Sequence, residues 1–287
     1  MTTATSSPYL SRIVIYPLKA LDPWTVTEAT IAPGGALAYD RRWAIVDERD
    51  YPDRVAQGRA KPWVNGKREV KIHRLRSRFE PSQGPNQPDR VTLGWDSLDR
   101  GETFELVPGR SALTNWLSQG LGYAVSLQEN PDQGYPDDPV SPGPTLISEA
   151  SLETASQWFP GQTIEQIRGR FRVNLEISGV PAFWEDQLFG EEGTVKPFQL
   201  GTVQVLGVNP CKRCVVPTRD PETGEVWPKF QQQFNEQRRS TLPPWTVADR
   251  FQNPYRLSLN TRIPATEAGK VLRVGDRLSL NPLSLSP

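Results

Sequence analysis

Two cysteines separated by two cations are the residues of this chain best suited to chemistry. Cys211 and Cys214 are the only cysteines, and Lys212 and Arg213 lie between them. Neighbouring positive charge favours the thiolate over the thiol. A thiolate is both a nucleophile and a soft metal ligand. The segment therefore indicates nucleophilic, redox or metal-binding chemistry.

Four interpretations of this cysteine pair stay open at this point. The thiols are structural, or they form a redox pair, although such a pair normally opens a helix and here β-branched residues, a proline and a turn follow. A zinc knuckle needs two further ligands, and the only histidine, His73, is remote in sequence. The fourth interpretation is one thiolate that binds a metal whose other ligands come from an organic cofactor. The scarcity of histidine and cysteine favours the fourth.

The scarce residue types exclude several classes of site. Two cysteines are too few for a four-cysteine iron–sulfur cluster or a disulfide framework, and one histidine is too few for a His-rich metal site. Lys+Arg and Asp+Glu are both 33, so the net charge is zero and bulk binding to nucleic acid is disfavoured. The basic segment 67–78 is then predicted to be a solvated strand face, with His73 exposed on it.

The chain shows no segment that would cross or enter a membrane. The apolar run Ile13–Tyr16 is far shorter than the ~20 residues of a membrane helix. The threonine- and serine-rich start lacks the apolar stretch of a leader. We therefore expect a cytoplasmic protein with no nucleic-acid partner and no membrane span.

The elements that must position the cysteines are mostly strands. Proline is 28 of 287 residues, which excludes a mainly helical chain because proline breaks helix interiors. The patterns predict a mainly β fold with a few helices, in the α+β class. Strands are predicted at 13–16, 43–46, 70–75, 90–93 and 202–208, with a hairpin formed by 270–274 and 277–280. Helices are predicted at about 111–118, ended by Gly120, and at 148–159, capped by Ser148.

A proline- and aspartate-rich segment, 130–144, predicts a domain boundary, with domains at 1–130 and 131–287. In the second domain, apolar residues alternate with polar ones over 171–177, which predicts a half-buried strand. Arg172 and Asn174 would then share its outward face. The cysteine pair is expected on a loop after the strand 202–208, held by a tight turn at 220–224.

The motifs along the chain resemble the MOSC-domain family of molybdenum enzymes, in particular its amidoxime-reducing members. The resemblance extends from about residue 11 to residue 281 and rests on pieces in the family's order. These are Ile15-Tyr16-Pro17-Leu18-Lys19, Asp40-Arg41-Arg42-Trp43, 146–152, Phe171-Arg172-Val173-Asn174, Cys211–Cys214 with the following Thr218-Arg219-Asp220-Pro221-Glu222-Thr223-Gly224, and Val274-Gly275-Asp276. The resemblance implies an N-terminal β-barrel-like domain followed by a C-terminal MOSC β-barrel domain.

The resemblance also implies a cofactor and a set of site residues. The cofactor would be molybdenum-molybdopterin, with Cys214 as the metal ligand and catalytic residue; pyridoxal phosphate is not expected. Cys211 would be a packed residue and not a ligand. Cations suit the phosphate of such a cofactor, and an amide suits the polar pterin. The expected cofactor-binding residues are Lys19, Arg41, Arg172, Asn174, Lys212 and Arg213.

The implied activity is two-electron reduction of a small N-hydroxylated or N-oxygenated substrate. No further cysteine follows Cys214, so electrons would come from a separate protein: a ferredoxin, a flavodoxin or a cytochrome b5-like protein with its reductase. The alternative is a carrier of molybdenum cofactor or of sulfur that performs no turnover. Two residues depart from the family pattern, Ala20 in place of a serine and Pro217 in place of a threonine; they leave the substrate range open.

Overall fold

A mainly β architecture with a few helices is found in the computed structural model, which describes residues 7–49, 51–58, 62–81, 87–106 and 110–280. The α+β prediction is confirmed. The strands are β1 (Tyr9–Ile15), β2 (Trp24–Val26), β3 (Glu28–Thr30), β4 (Trp43–Asp47), β5 (Leu75–Pro81), β6 (Pro88–Trp95), β7 (Glu102–Glu105), β8 (Val125–Glu129), β9 (Leu146–Ser148), β10 (Leu175–Ser178), β11 (Lys196–Leu200), β12 (Val203–Lys212), β13 (Arg256–Arg262), β14 (Val271–Arg273) and β15 (Leu278–Ser279).

The helices are short and lie between the strands. The α-helices are α1 (Tyr51–Ala56), α2 (Arg110–Leu121), α3 (Glu149–Gln157), α4 (Ile164–Phe171) and α5 (Phe230–Ser240). Short 3-10 helices cover Val70–Arg74, Trp184–Leu188, Val216–Thr218, Ala248–Phe251 and Ala265–Glu267. In the part of the chain that the structure describes, no helix has the length and apolar character needed to cross a membrane.

One eight-stranded sheet joins both ends of the sequence. Its strand order is β15-β11-β12-β13-β9-β10-β1-β2, so the N-terminal strands β1 and β2 extend a sheet formed by later residues. Strands β9 and β10 are parallel, with Leu146 opposite Leu175, and the other neighbours are antiparallel. This sheet places the end of β1 beside the start of β10, and β12 carries the chain towards the cysteines.

Three smaller sheets complete the fold: β5-β6-β7, β4-β8 and β14-β3. Strand β14 pairs with β3, through Leu272 and Ala29, whereas β15 pairs with β11, through Leu278 and Leu200. The predicted hairpin between the last two strands is therefore wrong. The turn at Gly275 exists, but each strand completes the edge of a different sheet because its buried leucine faces a different partner.

Three apolar clusters form the interior. One lies on the large sheet and includes Leu146 and Leu259. A second lies between α2 and the sheet β5-β6-β7. The third joins α3, α4 and α5, where the rings of Phe159 and Phe230 stack with centroids 4.2 Å apart. Phe171, the last residue of α4, is buried in this third cluster. Its packing fixes the position of the backbone that leads to the residues after α4.

The strand predictions at 13–16, 43–46, 90–93 and 202–208 are confirmed in type, as are both helices. The Ser148 hydroxyl accepts from the Ser151 amide at 3.1 Å, which is the predicted cap of α3. Helix α2 does not stop at Gly120; it runs on to Leu121, and Gly122 follows with a φ of +84°. Gly120 is needed inside the helix because a Cβ there would lie 2.4 Å from the Trp95 ring nitrogen.

Two predicted strands are wrong where a side-chain cap starts a helix. Residues Val70–Arg74 form a 3-10 helix because the Glu69 carboxylate accepts from the Lys71 amide at its start. Over 171–177, the strand begins only at Leu175. A capping box between Thr163 and Gln166 starts α4, which runs as far as Phe171. The alternating pattern spans the end of this helix, a left-handed residue and the start of a strand.

A buried carboxyl pair lies where the 3-10 helix Trp184–Leu188 meets α3 and α5. Glu185 accepts from the Ser151 hydroxyl at 3.0 Å and from the Ser148 amide at 3.2 Å. Asp186 pairs with the buried guanidinium of Arg238. Burial and the neighbouring Asp186 charge raise the pKa of Glu185 to about 7. One arginine thus faces two buried acids, and Glu185 holds its proton at mildly acidic pH.

This raised pKa predicts a stability that falls as the pH rises. The folded state binds the Glu185 proton more tightly than the unfolded chain, so its contribution is complete below the ordinary pKa of 4.5 and is lost as the pH approaches about 7. Glu185→Gln cannot ionise and is expected to lose less unfolding free energy between pH 5 and pH 8, by at least about 1 kcal/mol. Urea unfolding at four pH values measures this. The exposed Glu153→Gln on α3 is the control, and parallel pH profiles for E185Q and wild type contradict the prediction.

Candidate functional site

A cavity of about 470 Å³ opens between the end of β12, the residues around α4 and the turn after β1. Its size is within the range of small-molecule and cofactor sites, about 300–1,000 Å³. The structure brings every residue predicted for the site to this one cavity. The lining includes Lys19, Arg41, Arg172, Asn174, Lys212, Arg213 and Cys214.

The two cysteines have different surroundings. Cys214 follows β12 and is exposed, and its sulfur lies 3.4 Å from the Val216 amide nitrogen. Cys211 is half-buried inside β12, and its sulfur accepts from the Arg213 guanidinium at 3.1 Å. The prediction that both lie on a loop is wrong for Cys211, because pairing with β13 extends the strand as far as Lys212. Cys214 is therefore the thiol that is open to a ligand.

The predicted turn at 220–224 is confirmed. The Gly224 amide donates to the Asp220 carbonyl at 2.9 Å. The Asp220 carboxylate accepts from the amides of Glu222 and Thr223, both at 3.0 Å. These bonds lower the pKa of Asp220 against the opposing effect of burial. The turn closes the loop that begins at Cys214.

Arg170, a residue of α4 that the sequence analysis did not identify, bonds to the backbone of the same loop. It is 3% exposed. One guanidinium nitrogen donates to the carbonyls of Pro217, at 3.1 Å, and Arg219, at 2.6 Å. The Nε donates to Gln162 at 2.9 Å. Because Pro217 and Arg219 lie three and five residues after Cys214, Arg170 fixes the backbone that carries the thiol.

Lys19 is the most deeply buried of the predicted cations, with 5% exposure. Its ammonium donates to the Tyr135 carbonyl at 2.9 Å and pairs with Asp137. Burial lowers the pKa of Lys19. Desolvation of the Asp137 carboxylate raises its pKa, but the charges of Lys19 and Arg41 outweigh this effect and hold the pKa of Asp137 at about 2. Asp137 therefore stays ionised and offsets one of the cavity's positive charges.

Arg41 is held by a carboxylate and by unusual backbone geometry. Its guanidinium pairs with Asp40, whose other oxygen accepts from the Tyr16 amide at 2.9 Å. Burial acts against the charge, but Asp40 raises the pKa of Arg41. Its φ of +50° lies in the left-handed region, which costs a non-glycine residue about 1–2 kcal/mol. Such strain is common at functional sites.

Arg172 has the same left-handed geometry, with a φ of +52°, as the C-cap of α4. Its guanidinium lies 4.1 Å from the centre of the Tyr16 ring and donates to the Leu21 carbonyl at 2.6 Å. Burial lowers the pKa of Arg172, and the charge of Arg41 acts in the same direction. Two arginines are thus held at one cavity beside a single tyrosine ring, since the Arg41 guanidinium lies 5.4 Å from the centre of the same ring.

Asn174 does not lie on an outward strand face; it is fully buried. Its amide nitrogen donates to the Val14 carbonyl at 3.0 Å. Its carbonyl oxygen accepts from the Thr145 amide at 3.2 Å and lies 3.4 Å from an Arg41 nitrogen. These bonds join β1, β10 and the segment before β9. The side chain serves first to fix Arg41 and Thr145 at the cavity wall.

The prediction that His73 is solvated on a strand face is wrong. His73 is half-buried, lines the cavity, and places Nε2 3.2 Å from the Gly66 carbonyl oxygen. The 3-10 helix that replaces the predicted strand turns the ring inward. Sequence reasoning also missed Asp137, which lies in the proline-rich segment taken as a boundary. The only sequence feature that could have indicated Asp137 is the adjacent acid, Asp138.

The lining suits an anionic organic cofactor. Among the described residues, no cluster of three or more His, Cys, Asp or Glu side chains would hold a metal ion. The lining offers one exposed thiol, Cys214, together with the cations described above. Ser141 lines the same cavity and is only 5% exposed. Its hydroxyl has no hydrogen-bond partner within the described residues. These groups fit a ligand that brings negative charge and hydrogen-bonding atoms with it, and a metal bound at Cys214 would have to take its other ligands from that molecule.

Comparison with known families assigns both parts of the chain. Residues 7–80 match the MOSC N-terminal beta barrel domain, and residues 144–279 match the MOSC domain. The chain belongs to the MOSC-domain proteins. The domain division proposed at 130 and 131 falls in the segment between the two matched regions.

Two kinds of named relative are similar to this MOSC-domain protein. Mitochondrial amidoxime reducing component 2 of Rattus norvegicus is 30% identical over 157 residues, which is 54% of this chain and 42% of that protein. Molybdenum cofactor sulfurase of Danio rerio is 25% identical over 259 residues, which is 76% of this chain and 29% of that protein. The match thus covers less than half the length of either relative.

The contacts of Arg170 predict that it fixes the Cys214 loop of the MOSC domain. Arg170→Lys removes the guanidinium, which bonds two loop carbonyls through one nitrogen and Gln162 through Nε. We expect a loss of about 2–3 kcal/mol in unfolding free energy, since a hydrogen bond from a charged group is worth about 1.5–3 kcal/mol. Cys214 should also react faster with Ellman's reagent, measured in the Cys211→Ala background. Arg273→Lys, at an exposed ion pair, is the control. Unchanged stability and thiol reactivity in R170K would show that the loop does not depend on this arginine.

Proposed function

We propose that this MOSC-domain protein is a molybdenum cofactor-dependent oxidoreductase that reduces small N-hydroxylated or N-oxygenated molecules. The observation that carries the proposal is the cavity that joins an exposed thiol, Cys214, to the cations Lys19, Arg41 and Arg172. The names of the amidoxime reducing component and molybdenum cofactor sulfurase relatives support the cofactor. The amidoxime reducing component supports the reaction.

In this proposal, the chain's residues divide the work of holding the cofactor. Cys214 is the protein ligand of the metal, since an exposed thiolate is a soft donor. Lys19, Arg41 and Arg172 bind the anionic part, because guanidinium and ammonium groups form charge-assisted bonds with phosphate oxygens. Lys212 and Arg213 directly precede the ligand in the sequence, line the same cavity and add to its positive charge. Asn174 positions Arg41 from behind.

The cofactor, when bound, would supply the two-electron chemistry that removes oxygen from an N–O bond. The net change converts an N–OH group, two electrons and two protons into N–H and water. The protein binds and orients the substrate beside Cys214. The exposure of Cys214 leaves the site open to an external donor, for which a ferredoxin, a flavodoxin or a cytochrome b5-like protein with its reductase are the proposed classes. The cytoplasmic location expected from the sequence stays a prediction.

A carrier of molybdenum cofactor or sulfur is the second candidate function. Molybdenum cofactor sulfurase of Danio rerio matches this chain over a longer segment than mitochondrial amidoxime reducing component 2 of Rattus norvegicus does, 76% of it against 54%. An exposed Cys214 is also suited to hold sulfur as a persulfide. A carrier would contain cofactor or persulfide but would not reduce benzamidoxime with any electron donor. Molybdenum analysis of the purified chain, combined with a benzamidoxime reduction assay, separates the two functions.

The two cysteines predict opposite outcomes in a matched pair of variants. Cys214→Ala removes the proposed ligand and is expected to lower benzamidoxime reduction on the order of 100-fold or more, at the level of metal-site losses. Cys211→Ala removes a thiol whose contact is Arg213 and should keep activity within a few-fold. Reduction rates with dithionite-reduced viologen, normalised to bound molybdenum, measure both. Full activity of C214A removes the proposed ligand.

The three cations predict a loss of cofactor retention. Lys19→Ala, Arg41→Ala and Arg172→Ala each remove a charge-assisted bond worth about 1.5–3 kcal/mol, so cofactor affinity is expected to fall by roughly 10- to 100-fold. Molybdenum per chain after gel filtration measures the loss. Lys196→Ala, an exposed lysine on β11, is the control for the loss of a charge. Unchanged molybdenum in all three variants would reject the proposed grip on the cofactor.

A further inference from the structure

One wall of the cavity takes no part in the cofactor grip described above. It is lined by residues 65–67, 72 and 73 of the N-terminal region and by Arg219 and Pro221 of the MOSC domain. The polar lining residues of these two segments are Asn65, Lys67, His73 and Arg219, and none of them has a role so far. Cys214 lies on the same cavity. This wall and the thiol therefore face one common cavity.

The backbone around His73 is built to hold the ring in place. Nε2 lies 3.2 Å from the Gly66 carbonyl oxygen. A Cβ on Gly66 would lie 2.5 Å from that same nitrogen, so a side chain there would displace the ring. On the other side, Gly224 has a φ of +77°, and a Cβ there would lie 3.3 Å from the His73 Cβ. Two glycines thus leave just enough room for the only histidine of the chain.

These contacts decide which ring nitrogen is free. A carbonyl oxygen only accepts, so Nε2 must carry the hydrogen. Nδ1 then has a lone pair and no hydrogen-bond partner among the described residues. Burial lowers the pKa of His73, and the charges of Arg219 and Arg172 add to this, while the Gly66 bond and Asp220 act against it. The ring therefore offers an acceptor at neutral pH.

The surroundings of His73 carry an excess of positive charge. The Nε of Arg219 is buried without a hydrogen-bond partner in the described part of the chain. Its terminal nitrogen reaches the Gly224 carbonyl at 3.3 Å. Lys67 lines the same wall, and neither Lys67 nor Arg219 belongs to the cofactor grip described above. Because like charges repel across a partly desolvated cavity, this wall disfavours a cationic ligand.

We propose that His73 and Arg219 form the substrate subsite: Nδ1 of His73 accepts a hydrogen bond from an N–H or O–H group of a neutral N-hydroxylated ligand, and the surrounding cations disfavour its protonated product. The inference rests on the proposed function and names the part of the site that distinguishes neutral substrate from cationic product. N-hydroxylation withdraws electron density and lowers the basicity of an amidine, so the substrate is neutral at pH 7. Loss of the oxygen restores the basicity, and the product is a cation. The charge of the wall thus favours entry of substrate and departure of product.

The lone histidine permits a direct binding test. Full-length, cofactor-loaded protein labelled with ¹³C-histidine gives a single Cε1–H cross peak, which comes from His73. Neutral benzamidoxime is expected to shift this peak saturably at pH 7, whereas cationic benzamidine should bind at least tenfold more weakly. A peak that moves with neither probe, or equally with both, overturns the proposal.

Two variants separate the acceptor role from the shape of the ring. Glutamine places its amide nitrogen near the Nε2 position and keeps the bond to Gly66, but it has no acceptor at the Nδ1 position. Asparagine places an oxygen near Nδ1 and loses the bond to Gly66. We therefore expect His73→Gln to raise KM for benzamidoxime about 3- to 10-fold with little change in kcat, as for one lost hydrogen bond. His73→Asn should keep KM within about twofold of wild type. Equal KM values for H73Q and wild type contradict the acceptor role.

The outcomes also distinguish this inference from the proposed function. If the loaded protein does not reduce benzamidoxime but the His73 peak shifts selectively, the subsite stands and the proposed reaction fails. If the protein reduces benzamidoxime while the peak and the KM of H73Q do not change, the reaction stands and the subsite fails. Circular dichroism of both variants must match wild type, and bound molybdenum must be equal, for the KM comparison to report on the subsite.

Discussion

The candidate site depends on keeping three cationic side chains charged inside a partly closed cavity. Lys19 is almost fully buried, and Arg41 and Arg172 have left-handed backbones beside it. Removing a cation from water is unfavourable unless it is paired. Asp40 and Asp137 pair with two of these cations, and Arg172 instead has the face of Tyr16 and a backbone carbonyl. The cavity therefore keeps a positive potential that an anionic ligand would satisfy.

The large sheet is what brings these charges together. Lys19 and Arg41 come from the turns after β1 and before β4, whereas Arg172 and Asn174 come from the link between α4 and β10. Strand β1 pairs with β10, with Ile13 opposite Leu175, which joins the two sources. The Asn174 amide completes the junction by bonding the Val14 carbonyl. One antiparallel pairing between distant parts of the sequence thus builds half of the site.

The sequence identified residues that share one cavity, but it did not predict the geometry that places them there. The cysteine motif and the cations inside short motifs identified residues that all reach one cavity. Element types failed at 70–74 and 171–174, where Glu69 and the Thr163 capping box start helices that apolar alternation does not reveal. Asp137 and Arg170 were missed because their roles come from tertiary contacts. No local pattern marks an acid that pairs with Lys19 from 118 residues away.

Backbone strain and repulsion between cations both lower the stability of the folded state at the cavity. Two left-handed arginines each cost about 1–2 kcal/mol, and the surrounding fold must supply that stability because neither residue relaxes without losing its contacts. Arg41 is fixed by Asp40 and Asn174, and Arg172 by Tyr16 and Leu21. A ligand that binds only the folded state stabilises it in proportion to its affinity. An anion bound among these cations would therefore offset the charge repulsion that the pairing with Asp40 and Asp137 leaves uncompensated, and its binding would then be thermodynamically coupled to folding.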